Sequence, residues 1–124
     1  MIEKKIIEAK EDTPEIILDY ENKTIKISGY SFPDNAIDIY KPIIDWISEN
    51  LNKLDSLTIE INFKILSSAS NKQIYEIMYL LEDYYKKGKD IKVKWYYNKE
   101  DDDMEYEGNS FKQTFDIPIE LISI

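Results

Sequence analysis

Leu57-Thr58-Ile59-Glu60-Ile61-Asn62-Phe63-Lys64-Ile65 is the stretch on which the fold turns. Its apolar residues occupy every second position, the period of a strand with one face on a core and the other toward water. Ser67-Ser68-Ala69-Ser70 follows, and then the period changes. Ile74, Ile77, Met78, Leu81, Tyr84 and Tyr85 recur at three- and four-residue spacing. They predict a helix from about Ser70 to Lys87 with one buried stripe, ended by Gly88. A strand handing over to a helix is half of a parallel crossover unit, so an α/β sheet is expected.

Working toward the N-terminus, Pro33-Asp34-Asn35 reads as a helix entry, with Asp34 or Asn35 able to cap it. Beyond it Ala36, Ile39, Tyr40, Ile43, Ile44, Ile47 and Leu51 keep helical spacing, and Pro42 within the pattern predicts a kink or a break. Glu15–Tyr20 and Thr24–Tyr30 read as two strands joined by Glu21-Asn22-Lys23, a hairpin in which Asn22 is suited to a positive φ. Residues 1–12 read as either a flexible lead or an edge strand. Met1-Ile2-Glu3-Lys4-Lys5 lacks the apolar core of a secretion signal.

Working toward the C-terminus, Ile91, Val93, Trp95 and Tyr97 alternate with Lys92, Lys94 and Tyr96 as a further strand. Lys99 to Gly108 reads as an acidic loop, after which Asn109 or Ser110 caps a short helix carrying Phe111 and Phe115. Ile117-Pro118-Ile119-Glu120-Leu121-Ile122 is an edge strand or an extended tail, because proline is excluded from a sheet centre. Trp46 and Trp95 fall on the buried periodicities. No repeat or linker divides the chain. The expectation is one domain over residues 1–124, a mixed β-sheet with an N-terminal hairpin and two main helices packed on it.

Composition narrows the chemistry. A length of 124 residues buries roughly two thirds of the unfolded surface. Histidine, cysteine and arginine are all absent. Without histidine or cysteine there is no Ser-His or Cys-His nucleophile, no disulfide and no thiolate metal site. A formal charge of −9 with no arginine argues against general nucleic-acid binding. No apolar run approaches the roughly 18 residues of a membrane span, so a cytoplasmic location is expected. No cofactor and no metal is implied.

Three features remain as candidate sites. The serines stand where a helix start favours an added anion, and a phosphate there would add about −1.5 to −2 charges. The bland reading of the same segment is a capping box, with Ser70 covering an N–H and Gln73 reaching back, which leaves Ser67 and Ser68 in the preceding loop. The acidic loop is open to three readings: a solvated, self-repelling segment, a contact surface for a basic partner, or a hard-cation site. Its spacing does not match the calcium-loop pattern. Tyr75 and Tyr79 lie off the buried stripe, as either partly covered rings or a partner-binding patch beside the serines.

Three segments taken together add a resemblance: Ile27-Ser28-Gly29-Tyr30-Ser31-Phe32-Pro33-Asp34-Asn35-Ala36, Tyr40-Lys41-Pro42-Ile43-Ile44-Asp45-Trp46, and Asp101-Asp102-Asp103-Met104-Glu105-Tyr106-Glu107-Gly108-Asn109-Ser110-Phe111. In combination they resemble the SiaC family of bacterial STAS-like regulatory phosphoproteins, from about Thr13 to Ile122. The resemblance implies a STAS-like α/β fold without catalysis of its own. The family's Asn-Thr-Ser-Ser-Ser-Lys segment, aligned on Lys72, sets its phosphorylated threonine on Ser68 and its asparagine on Ser67, with Ala69 and Asn71 in place of two serines. Ser68 is therefore the implied phosphoacceptor, with Ser67 or Ser70 as substitutes, and Ser67, Ser68, Tyr75 and Tyr79 are the expected partner-binding residues. Also implied are a GHKL-type protein kinase, a PP2C-type phosphatase, and a diguanylate cyclase or comparable signalling effector bound in the unphosphorylated state. The competing expectation is a constitutive interaction module whose serines only cap the helix.

Overall fold

The computed structural model describes residues 4–124. In chain order it contains β1 (Lys5–Ile7), β2 (Glu15–Asp19), β3 (Thr24–Ser31), α1 (Ala36–Asn50), β4 (Ser56–Leu66), α2 (Ser68–Lys86), β5 (Asp90–Tyr97), α3 (Asp102–Thr114) and β6 (Ile119–Ser123). The six strands form one sheet in sequence order. β1, β2 and β3 are antiparallel neighbours, and β3 through β6 run parallel, each crossover carrying one helix. The expected edge strand within residues 1–12 is β1; residues 1–3 lie outside the described residues.

The helices cover one face of the sheet. Ile25, Ile27, Leu57, Ile59, Ile61, Ile91, Val93 and Trp95 point into the core and meet Tyr40, Ile43, Ile47, Ile74, Ile77, Met78 and Leu81 of α1 and α2. Both tryptophans are buried, as expected. The opposite face stays polar, with the Tyr96 hydroxyl donating to Glu60 Oε1 over 3.0 Å and Lys26 Nζ 3.9 Å from Glu60 Oε2. Parallel sheets are usually covered on both faces and read as continuous apolar runs. This one is covered on one face only, which is why its strands alternate.

Several expectations change against the structure. Lys23, not Asn22, takes the positive φ, at 56°. Asn22 is held instead by Asp19, donating its backbone N–H to Oδ1 at 3.1 Å and its side-chain amide to Oδ2 at 2.8 Å. These bonds hold the Asp19 carboxyl below its ordinary pKa. Helix α1 runs through Pro42 without breaking in two. The carbonyl left without a partner is that of Asp38, an exposed residue that water reaches. Asn35 occupies the cap position, but its side chain makes no capping bond.

The acidic segment is not a loop. Asp101 caps α3, accepting from the Met104 N–H at 3.1 Å, and Asp102, Asp103 and Glu105 fill the first turn. Carboxylates there are favoured by the positive end of the helix dipole. The short helix expected to begin at Asn109 or Ser110 therefore begins at Asp102 and joins the two main helices on the sheet.

Ile65 is also displaced from the expected apolar face. Gly29 at φ 113° pairs with Phe63, whereas Tyr30 pairs with Ile65, so Lys64 is an extra residue on β4. The bulge flips the strand by one position. Ile65 then shares the outer face with Tyr30, and Ser31 at the end of β3 stays turned into the core.

Candidate functional site

The end of β4 delivers the chain to α2 through a turn held by three serines. Ser67 adopts extended backbone (φ −71°, ψ 160°), and its hydroxyl accepts the Ser70 N–H at 3.1 Å. That makes Ser67 the N-cap, where the sequence suggested Ser70. Gln73 is buried in the next turn, with no capping role. Ser70 is 0% exposed, its hydroxyl accepting from Ser31 Oγ at 2.8 Å and Ser67 Oγ at 3.1 Å. Ser31 Oγ in turn bonds the Tyr40 hydroxyl. Burial pushes that phenol up to about 12, against the opposing pull of its serine hydrogen bonds. A chain of hydroxyls thus runs from α1 through β3 to the first turn of α2.

The three serines are sorted by this geometry. Ser70 is sealed inside and is no substitute acceptor for a modifying enzyme, which corrects that expectation. Ser67 is half-buried and engaged as the cap. Ser68 is not in the loop: it is the first helical residue, it is exposed, and its hydroxyl makes no hydrogen bond among the described residues. Helix-start N–H groups at this position have no intrahelical partner.

Two clefts flank it. One, of about 270 Å³, sets Ser68 and Asn71 of α2 against Asp103, Tyr106 and Glu107 of α3. Across it the Asn71 amide donates to Glu107 Oε2 at 3.0 Å, while Asn71 Oδ1 is buried without a partner. The other sets Ala69 and Lys72 against Asp34, Ile37 and Asp38 at the start of α1. Each cleft carries one strongly exposed apolar side chain, Tyr106 at 70% and Ile37 at 69%. Ser68 sits between two apolar arms rimmed by carboxylates.

Tyr75 and Tyr79 are not gathered into either cleft. The Tyr75 ring packs on Phe111 and Phe115, centroids 4.6 and 5.9 Å away, and burial raises its pKa with a smaller contribution from Glu107. Tyr79 is exposed but stands edge-on to Phe115 at 4.9 Å. These rings pack α3 onto α2, with Tyr79 still open to solvent, and neither lines a cleft beside Ser68. Sequence reasoning missed Ile37 and Tyr106. Ile37 was legible as an isoleucine off the α1 stripe; Tyr106 was hidden by reading its helix as a loop.

Among the described residues, no group of three or more His, Cys, Asp or Glu side chains is placed to hold a metal ion. No helix among them is long and apolar enough to cross a membrane.

Fold and site together define a small α/β domain that presents one open serine hydroxyl at a helix start. The family of SiaC regulatory phosphoproteins matches residues 7–124, and the chain belongs to that family. The family is one of regulators, not enzymes. Apo-SiaC from Pseudomonas aeruginosa is similar in structure, with a TM-score of 0.92 at 21% identity, covering 98% of this chain and 100% of that one. A chain in the crystal structure of the diguanylate cyclase SiaD in complex with its activator SiaC, from the same organism, matches with a TM-score of 0.91 at 22% identity, covering 96% of this chain and 98% of that one. An uncharacterized protein of Pseudomonas aeruginosa strain UCBPP-PA14 is 22% identical over 116 residues, 93% of this chain and 92% of its own. At these identities the structural likeness is one of fold.

Proposed function

We propose that the chain is a one-domain cytoplasmic switch, whose Ser68 face docks on a signalling effector when unmodified and lets go when phosphorylated. The effector of choice is a diguanylate cyclase, since a family relative is the activator of one. A GHKL-type kinase would transfer the γ-phosphoryl group of ATP to Ser68 Oγ, with loss of the hydroxyl proton and departure of ADP. A PP2C-type phosphatase would hydrolyse the ester with water, returning serine and inorganic phosphate.

The observation that carries the reading is the exposure of Ser68 at the first position of α2 while Ser67 and Ser70 are engaged. The helix start tolerates a phosphate, contributing about 0.3–1 kcal/mol through its dipole. A docked apolar partner does not, because the dianion must shed water without a countercharge. A loss of about 2.8 kcal/mol is a hundredfold in affinity.

Phosphopeptide mass spectrometry on the chain isolated from its host tests this. The expected result is a peptide phosphorylated on Ser68 that disappears in a host lacking the kinase. Exclusive phosphorylation elsewhere, or none under any growth condition, contradicts it and favours the constitutive module in which the serines only cap.

A further inference from the structure

We infer that Asn71 is the pivot through which a charge on Ser68 reaches α3: it tethers Glu107 while the serine is free, and its amide transfers to the phosphate once the serine is esterified, releasing the first half of α3. This rests on the phosphorylation of Ser68 proposed above and adds its structural consequence.

Ser68 and Asn71 are three residues apart on one helix, hence on one face, and both line the cleft whose far wall is Asp103, Tyr106 and Glu107. No lysine lines that cleft, and Lys72 opens onto the other one. A phosphate on Ser68 therefore meets two carboxylates with no cation between them. The ester itself is well placed, beside the open N–H groups of the helix start and within the reach of a side chain three residues on. The amide of Asn71 is an available donor: it spends one bond on Glu107, and its Oδ1 has no partner to fix the side chain's orientation. A phosphate oxygen is a stronger acceptor than the carboxylate it displaces, and the carboxylate, now facing a dianion, is repelled as well.

What yields is the near end of α3. Its far end is anchored by Phe111 and Phe115 against Tyr75 and Trp95. Its near end relies on the Asp101 cap, on buried Met104, whose carbonyl accepts the Trp95 indole N–H at 2.9 Å, on the Tyr97 hydroxyl donating to Glu105 at 3.2 Å, and on the Asn71–Glu107 bond, the one of these that faces Ser68. Loosening residues 102–107 carries Tyr106, one of the two apolar arms beside Ser68, out of its resting place. Phosphorylation would thus dismantle the docking face as well as charging it.

The test uses the full chain with phosphoserine placed at position 68 by genetic encoding, compared with the unmodified chain by hydrogen-exchange mass spectrometry. Amides of residues 102–107 are expected to exchange about tenfold faster in the phosphorylated chain, with the sheet unchanged. In Glu107→Gln the phosphate-induced increase is expected to shrink several-fold, and in unmodified Asn71→Asp, where a carboxylate faces Glu107, the same amides are expected to speed up without phosphate. Phosphoserine that leaves α3 exchange unchanged overturns the inference. So does an increase of equal size in wild type and Glu107→Gln, or an Asn71→Asp chain whose α3 exchanges as wild type. Should Glu107→Gln unfold, wild type at raised salt supplies the same comparison: an increase that screening does not diminish overturns the carboxylate route. Because the phosphoserine is encoded rather than added by the host's kinase, failure here leaves the host phosphorylation of Ser68 as a separate question.

Discussion

The Ser67 hydroxyl covers the Ser70 N–H, and replacing it with alanine strips a helix cap from a half-buried turn. Ser67→Ala is expected to cost about 1 kcal/mol. Ser68→Ala, which removes an exposed hydroxyl without a partner, is expected to stay within about 0.5 kcal/mol of wild type. Urea unfolding of the two variants separates a structural serine from a free one, and an equal cost for both would contradict the assignment. Tyr40 offers a pH-resolved check on the hydroxyl chain behind them. Its folded pKa is raised from 10.0 to about 12, so its contribution to stability is complete below pH 10 and is lost as pH climbs from 10 toward 12. Tyr40→Phe is expected to be less stable by about 1 kcal/mol at neutral pH, through loss of a buried hydrogen bond. It should also lose less stability than wild type between pH 10 and 12. Parallel curves in that window would show that the phenol does not titrate against the fold. Of the residues at the site, the serine hydroxyls were legible, because their type and place before a helix pattern are written in the chain. The sorting of Ser67, Ser68 and Ser70 was not, since it depends on Ser31 and Tyr40 arriving from other elements.

At the scale of elements, α3 shows why a correct residue reading can mislead. Adjacent carboxylates repel in an extended loop, yet Asp101, Asp102, Asp103 and Glu105 are also what a helix N-terminus favours, a cap followed by an acidic first turn. The dipole and the cap outweigh the repulsion, and the stretch folds as helix. The bulge at Lys64 was invisible for a different reason: a one-residue slip leaves the alternation of β4 intact up to Phe63 and depends on its pairing with β3. By contrast, β4 and β5 were legible because one face of the parallel sheet is left to water. Close packing of α3 makes its own prediction. A Cβ at Gly108 would lie 2.5 Å from Trp95 Cδ1 and 2.8 Å from Nε1, inside contact distance of a fully buried ring. Gly108→Ala is expected to cost about 1–3 kcal/mol by overpacking and to shift the fluorescence of Trp95. Unfolding followed by that fluorescence checks it; a neutral substitution would mean that α3 is not seated as described.

Across the whole molecule, a net charge of −9 with no arginine leaves the chain few means of its own to neutralise an added phosphate. The apolar arms Ile37 and Tyr106 come from the first and third helices and converge on the second, an arrangement that no local pattern announces. Their juxtaposition puts Ser68 between them, as the switch proposed above requires of its docking face. The most direct test replaces the chromosomal copy in the native host with Ser68→Ala or Ser68→Asp and measures cellular cyclic di-GMP. The account predicts a raised level with alanine, which keeps the effector docked, and a lowered level with aspartate. Equal levels in the two strains, with both proteins present at wild-type abundance, would contradict it.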